Sequence, residues 1–153
     1  MRFKKPSLRS AISLDVGKKR IGLAYCDALH ITVNVLPALK RGLNFSEVSI
    51  IKNYIKDLNI SGIVIGIPLD DAGKVTDQAK DCIKYGESIL KICMKPYVFV
   101  NEHSSTWESI DKFGIQKDKS GIVDSLSAKI ILEQWIKEGP ELREYDSKNQ
   151  LKY

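Results

Sequence analysis

Residues 11–27, AISLDVGKKRIGLAYCD, decide how the chain is read. Ile12, Leu14 and Val16 alternate with Ser13 and Asp15, the period of a strand with one buried face. Ile21, Leu23 and Tyr25 resume that period after a charged turn, Lys18-Lys19-Arg20. Gly17 permits a tight turn, and Gly22 permits close approach of a backbone or a ligand. Asp15 is out of place. A carboxylate inside an apolar strand needs a partner or a metal, because an unpaired buried charge is costly. A plain hairpin with a charged turn accounts for the stretch equally well, so its meaning depends on what the rest of the chain supplies.

Working outward, residues 1–10 (MRFKKPSLRS) read as a loose basic arm and not as a signal peptide, since Asp15 interrupts the apolar segment that follows. Ile31, Val33 and Val35 alternate with Thr32 and Asn34, giving a third strand that should end at Pro37 and complete an antiparallel meander. From Asn44 the period becomes helical, with Val48, Ile51, Ile55 and Leu58 on one face and Asn44 or Ser46 as the cap. Ile63-Val64-Ile65 between two glycines reads as a strand covered on both faces. A turn-rich loop over 67–75 leads to a second helix from about Thr76 to Cys93, buried along Ala79, Cys82, Ile83, Gly86, Ile89, Leu90 and Cys93. Residues 97–100 form a last apolar strand, which stops at Asn101-Glu102-His103. Ser105 and Glu108 are spaced as a capping box for a short helix, and residues 114–120 read as a polar loop. A final helix from near Gly121 to about Lys137 is stopped by Gly139-Pro140, leaving a polar tail. The expected fold is α/β: a mixed five-stranded sheet with helices on both faces. The expected division is an arm over 1–10, one domain over 11–138 and a tail over 139–153.

Composition narrows the function classes. The 153 residues suit one domain with a sizeable core, and 43% hydrophobic residues are too many for a disordered chain. No apolar run approaches the roughly 20 residues that cross a bilayer, so no membrane partner is expected. The three cysteines, Cys26, Cys82 and Cys93, form no C-x-x-C pair and read as reduced thiols packed in a core. With His30 and His103 they are too few for a structural zinc site. The net charge of +5 leans toward a polyanionic partner, and Lys18, Lys19 and Arg20 strengthen that lean by sitting beside Asp15.

Three acids stand at element ends: Asp15 near the end of the first strand, Glu102 after the last strand, and Asp124 in the first turn of the last helix. Each alone has an ordinary explanation, as turn residue, loop charge or helix-dipole partner. If the first and last strands are neighbours and the last helix packs over them, the three carboxylates converge. Clustered carboxylates repel unless cations lie between them, and hard oxygen ligands suit Mg²⁺ or Mn²⁺. Two such ions about 4 Å apart support phosphodiester hydrolysis, with adjacent lysines holding the nucleic-acid backbone by charge.

Four motifs, LDVGKKRIGLAYCD, IVIGIPLDDAG, VNEHSSTWES and GIVDSLSAKIILEQW, occur in an order that resembles the bacterial pre-16S rRNA nuclease family, also described as Holliday-junction-resolvase-like. The resemblance spans about residues 11–138 and implies an RNase H-like fold, a cytoplasmic location and divalent-metal cleavage of structured nucleic acid. The activity it implies is 5′-end trimming of precursor 16S ribosomal RNA. It also implies that Asp15, Glu102 and Asp124 are the metal-binding catalytic acids. Arg20 matches a basic residue of its first motif, and Ile67-Pro68-Leu69 matches a loop beside the active site, so Lys18, Lys19, Arg20 and Pro68 are the expected substrate contacts. The chain departs from the family at 101–106. The usual D-E-R and L-S-T are here Asn101-Glu102-His103 and Ser104-Ser105-Thr106. His103, when protonated, is a partial substitute for the missing arginine.

Two other readings share these residues. A DNA junction resolvase would use the same acids and act as a symmetric dimer, so monomer and homodimer both stay open. An inactive RNase H-like binding module is the other, given weight by the altered triplet. D-x-G also opens actin-like ATPases and sugar kinases, but an actin-like ATPase needs two such domains and this chain has the length of one.

Overall fold

The computed structural model describes residues 5–42, 46–69, 72–102, 122–146 and 148, with side chains from residue 125 onward in the last long segment. Strands β1 (Ala11–Val16), β2 (Arg20–Cys26) and β3 (Val33–Lys40) form the expected meander. Helix α1 (Ser46–Asp57) crosses to β4 (Gly62–Ile67), and α2 (Asp77–Cys93) crosses to β5 (Tyr97–Asn101). Helix α3 (Ile122–Glu138) follows. The sheet is mixed and five-stranded, in the order β3-β2-β1-β4-β5, with β4 parallel to both β1 and β5. The short helix expected from Ser105, the loop over 114–120 and the cap candidate Asn44 lie outside the described residues.

The strand period sorts side chains into two layers. Ile12, Leu14, Ile63, Ile65 and Phe99 face α1 and α2, which contribute Ile51, Ile55, Ile83 and Ile89 to that core. Ala11, Ala24, Val64, Val98 and Val100 face α3, which contributes Ala128, Ile131, Leu132 and Trp135. Each large apolar side chain so buried stabilises the fold by roughly 1.5–3 kcal/mol. All six residues of β4 are buried, as a strand covered on both faces requires.

Helix α3 lies obliquely across its face of the sheet. The Ser125 hydroxyl donates to the Leu36 carbonyl of β3 (2.6 Å), and the Ser13 hydroxyl of β1 donates to the Ala128 carbonyl (2.6 Å). Ile131 lies over Gly66 of β4, and the Gln134 amide donates to the Asn101 carbonyl of β5 (3.4 Å). Small residues at the crossing points let the helix approach closely, which is the use of Gly66.

Two expectations are corrected, and the condition that the first and last strands be neighbours is not met. Strand β3 passes through Pro37 and runs to Lys40. It is an edge strand, where a missing amide donor is tolerated, and its register with β2 shifts between Ile21 and Leu23, across from Pro37. The first and last strands are not neighbours, because β4 lies between them. The arm, expected to be loose, is docked where described, and so is the tail. The Ser10 hydroxyl donates to the Asn59 carbonyl (2.8 Å), and Arg143 pairs with Tyr97 on the outer edge of β5 through bonds of 2.8 and 2.7 Å. Buried Leu142 and the Trp135 indole, donating to the Pro140 carbonyl (2.7 Å), pin that segment.

A Cβ on Gly66 would come within 2.6 Å of Ile131 Cδ1. Gly66→Val should therefore overpack the α3 layer and cost about 1–3 kcal/mol, read as a lower urea midpoint. An unchanged midpoint would mean that α3 is not seated on β4 as described.

Candidate active site

The carboxyl ends of β1, β4 and β5 share one edge of the sheet, the edge where ligands bind in open α/β folds. Asp15 lies there, half-buried, one residue from the end of β1. It pairs in register with Gly22 of β2 on one side and Gly66 of β4 on the other. Neither lateral neighbour has a side chain, and on the β4 side Ile131 of α3 fills the space over Gly66. Alternation puts Asp15 on the same face as Ala11 and Ser13, the face covered by α3.

Glu102 follows β5, and its amide donates to the Ile67 carbonyl (2.8 Å), which carries the parallel ladder one step past Asn101. Alternation then puts Glu102 with Val98 and Val100 on the α3 face and Asn101 on the opposite one. Burial pushes the Glu102 carboxyl up from 4.5 to about 7. Its Oε1 is buried and, among the described residues, has no hydrogen-bond partner. An orphaned carboxylate oxygen facing the same side as Asp15 is the kind of hard donor that a divalent cation takes. The Cys82 thiol, which donates to the Val16 carbonyl (3.2 Å), senses the same charges: burial first, with the charges of Asp15, Asp81 and Glu102 adding to it, pushes it up to about 12.

Position 124 lies in the first turn of α3, and its side chain is outside the described set. The structure thus brings Asp15 and Glu102 to one face and one edge of the sheet. Among the described residues no group of at least three His, Cys, Asp or Glu side chains comes together.

The turn after β1 closes with the Gly17 amide donating to the Arg20 carbonyl (2.8 Å), and a Cβ on Gly17 would press to 2.9 Å from that oxygen. Lys18 and Lys19 are exposed at its tip, and Arg20 is half-buried at the start of β2. Pro68 is half-buried directly after β4, at the same edge. His103 is outside the described residues. Sequence reasoning missed Arg41 and Asp81, which brace this turn. Arg41 Nη1 donates to the Gly17 carbonyl (3.1 Å), and Arg41 meets Asp81 of α2 at 2.7 and 2.9 Å. Forty residues separate the pair, and no local spacing signals such a contact.

A family model described as RuvX, Holliday junction resolvase, matches residues 9–138. The chain belongs to the RuvX nuclease family. It is 60% identical over 153 residues, the whole of both chains, to a Prochlorococcus marinus (strain AS9601) protein named "Putative pre-16S rRNA nuclease". It is 46% identical over 138 residues to a Synechococcus sp. (strain CC9902) protein of the same name, covering 90% of this chain and 84% of that one. Among solved structures, T. thermophilus RuvC in complex with a Holliday junction substrate superposes with a TM-score of 0.50 at 8% identity, over 83% of this chain and 94% of that one. That likeness bears on the fold, which is RNase H-like as expected. No helix among the described residues is long and apolar enough to cross a membrane.

The raised Glu102 carboxyl has a consequence for metal-free protein. A group raised in the folded state from 4.5 to about 7 favours folding fully below about pH 4.5, and that contribution is lost as pH rises to about 7. Glu102→Gln should abolish this part of the pH dependence. The check is urea unfolding in EDTA from about pH 4 to about pH 8. Identical slopes in the two proteins would contradict the burial of this carboxyl.

Proposed function

We propose that this chain is a divalent-metal-dependent nuclease of structured RNA whose task is trimming the 5′ end of precursor 16S ribosomal RNA. The observation that carries the reading is the buried, orphaned Oε1 of Glu102 on the sheet face that also bears Asp15. Asp15, Glu102 and Asp124 are the residues that would hold Mg²⁺ or Mn²⁺. Helical spacing puts position 124 on the face of α3 shared by Ser127 and Ala128, both fully buried against the sheet side. Metal ions of this kind supply an activated water and charge stabilisation for the leaving oxygen in phosphodiester hydrolysis.

The protein groups divide the remaining work. Glu102 must lose its proton to serve as a ligand, so cation affinity should rise with pH up to about 7 and level off above it. Asp15, half-buried between Gly22 and Gly66 in register, would supply a second carboxylate. Lys18 and Lys19, exposed in the turn that follows Asp15, hold backbone phosphates by charge, with Arg20 and Pro68 at the same edge and His103 as a further expected substrate contact. The reading makes the protein a cytoplasmic participant in ribosome biogenesis, acting as a monomer or a homodimer, with 11–138 as its nuclease domain. A second reading, cleavage of Holliday junctions, is favoured by the description of the matching family.

Purified protein incubated with precursor 16S RNA and, separately, with synthetic junctions, in Mg²⁺ or EDTA, tests both. The expected result is Mg²⁺-dependent RNA cleavage that is abolished in Asp15→Asn and Glu102→Gln and largely kept in Asn101→Ala, which alters the opposite face. Cleavage of junctions alone would transfer the assignment to the second reading. Activity in Glu102→Gln with none in Asn101→Ala would overturn the register on which the site rests.

A further inference from the structure

The turn bearing Lys18 and Lys19 is held from beneath by one side chain. Arg41, just past the end of β3, donates from Nη1 to the Gly17 carbonyl (3.1 Å) and from its backbone amide to the Lys19 carbonyl (2.8 Å). Its guanidinium meets Asp81 of α2 at two points, Nη1 to Oδ2 at 2.7 Å and Nη2 to Oδ1 at 2.9 Å. The guanidinium carbon lies 4.4 Å from the centroid of the Tyr85 ring. The Tyr85 hydroxyl donates to Oε1 of buried Glu47 (2.6 Å), whose Oε2 accepts from the Gly42 amide (3.1 Å). The guanidinium is thus fixed by a planar two-point contact, a ring beneath it and a backbone staple beside it, a geometry that lysine would not reproduce.

Two features separate this arrangement from an ordinary surface ion pair. First, Arg41 takes carbonyls on both sides of Lys18, which turns those peptide oxygens inward while Lys18 and Lys19 remain exposed. Second, Asp81 stands where its charge is adverse to a polyanion. Its carboxyl is held low first by the hydrogen bonds from Arg41, with the charges of Lys18 and Lys84 adding to this, so it lies within the field of the same lysine that would face phosphate.

We propose that Arg41, oriented by Asp81, is a positioning residue that preorganises the β1–β2 turn for the phosphate backbone of the substrate. The proposal rests on the functional reading above, in which Lys18 and Lys19 bind nucleic acid. It makes a prediction opposite in sign to simple electrostatics. Asp81→Asn removes a negative charge beside the turn, which by charge alone tightens RNA binding; loss of the clamp weakens it.

The test is binding of a short RNA duplex in EDTA, read by fluorescence anisotropy, with amide hydrogen exchange at Gly17 and Arg41 in the free protein. Asp81→Asn should bind about tenfold more weakly, and Asp81→Glu, which keeps the carboxylate, should recover most of the loss. Arg41→Lys, which keeps net charge but not the fork, should also weaken binding and carries the test if Asp81→Asn does not fold. Equal or tighter binding by Asp81→Asn or Arg41→Lys overturns the proposal. Absence of RNA binding by the unsubstituted protein contradicts the functional reading instead. In that event exchange judges the clamp alone: faster exchange at Gly17 and Arg41 in Asp81→Asn supports it, and unchanged exchange overturns it.

Discussion

A carboxylate at the end of an apolar sheet is the constraint around which this structure is arranged. Asp15 and Glu102 leave the core-forming rows of their strands at the edge where the three parallel strands end. Water is partly excluded there, so ionisation of Glu102 is disfavoured until something positive compensates it. The surroundings accommodate such a visitor: glycines flank Asp15 in register, and a charged turn begins two residues later. The fold thus carries a local destabilisation at Glu102, a common feature of functional sites.

Helix α3 is the second half of the same arrangement. Its hold on the sheet comes from buried hydroxyl–carbonyl contacts at Ser13 and Ser125 and from apolar packing of Ile131, Leu132 and Trp135. The first turn, which carries position 124, is thereby fixed over the meander while the remainder crosses toward β5. Docking of the C-terminal segment against Tyr97 covers the outer edge of β5 and seals the far end of the α3 layer with Leu142. The placement of position 124 is therefore set by packing along the rest of α3.

Much of this was legible in the chain because its signals are local. The alternation through Asp15, the Gly17 turn, and the start near Thr76 and the stripe of α2 each reflect backbone geometry within a few residues, and each element formed as read. Pro37 misled because a proline ends a central strand but not an edge one, and position in the sheet is not a local property. The neighbour of β1 was likewise set by the α1 crossover, which inserts β4 before β5. Leu142 and Tyr145 were lost in a polar stretch, yet both pack on the core and help to dock it. Of the site, Asp15 was visible as a charge breaking an apolar pattern, whereas the burial of Glu102 and the Arg41–Asp81 clamp exist only in three dimensions.

The central claim is that acids from β1, the end of β5 and the start of α3 form one cation site. Backbone amide spectra recorded during titration with paramagnetic Mn²⁺ test it without reference to any substrate. The account predicts that signals at Asp15, Val16, Gly66, Asn101, Glu102 and residues 123–125 broaden together at the lowest Mn²⁺ additions, and that Glu102→Gln suppresses the effect at all of them. Early broadening confined to the exposed acids Glu141 and Glu144, with Asp15 and Glu102 unaffected, would contradict it.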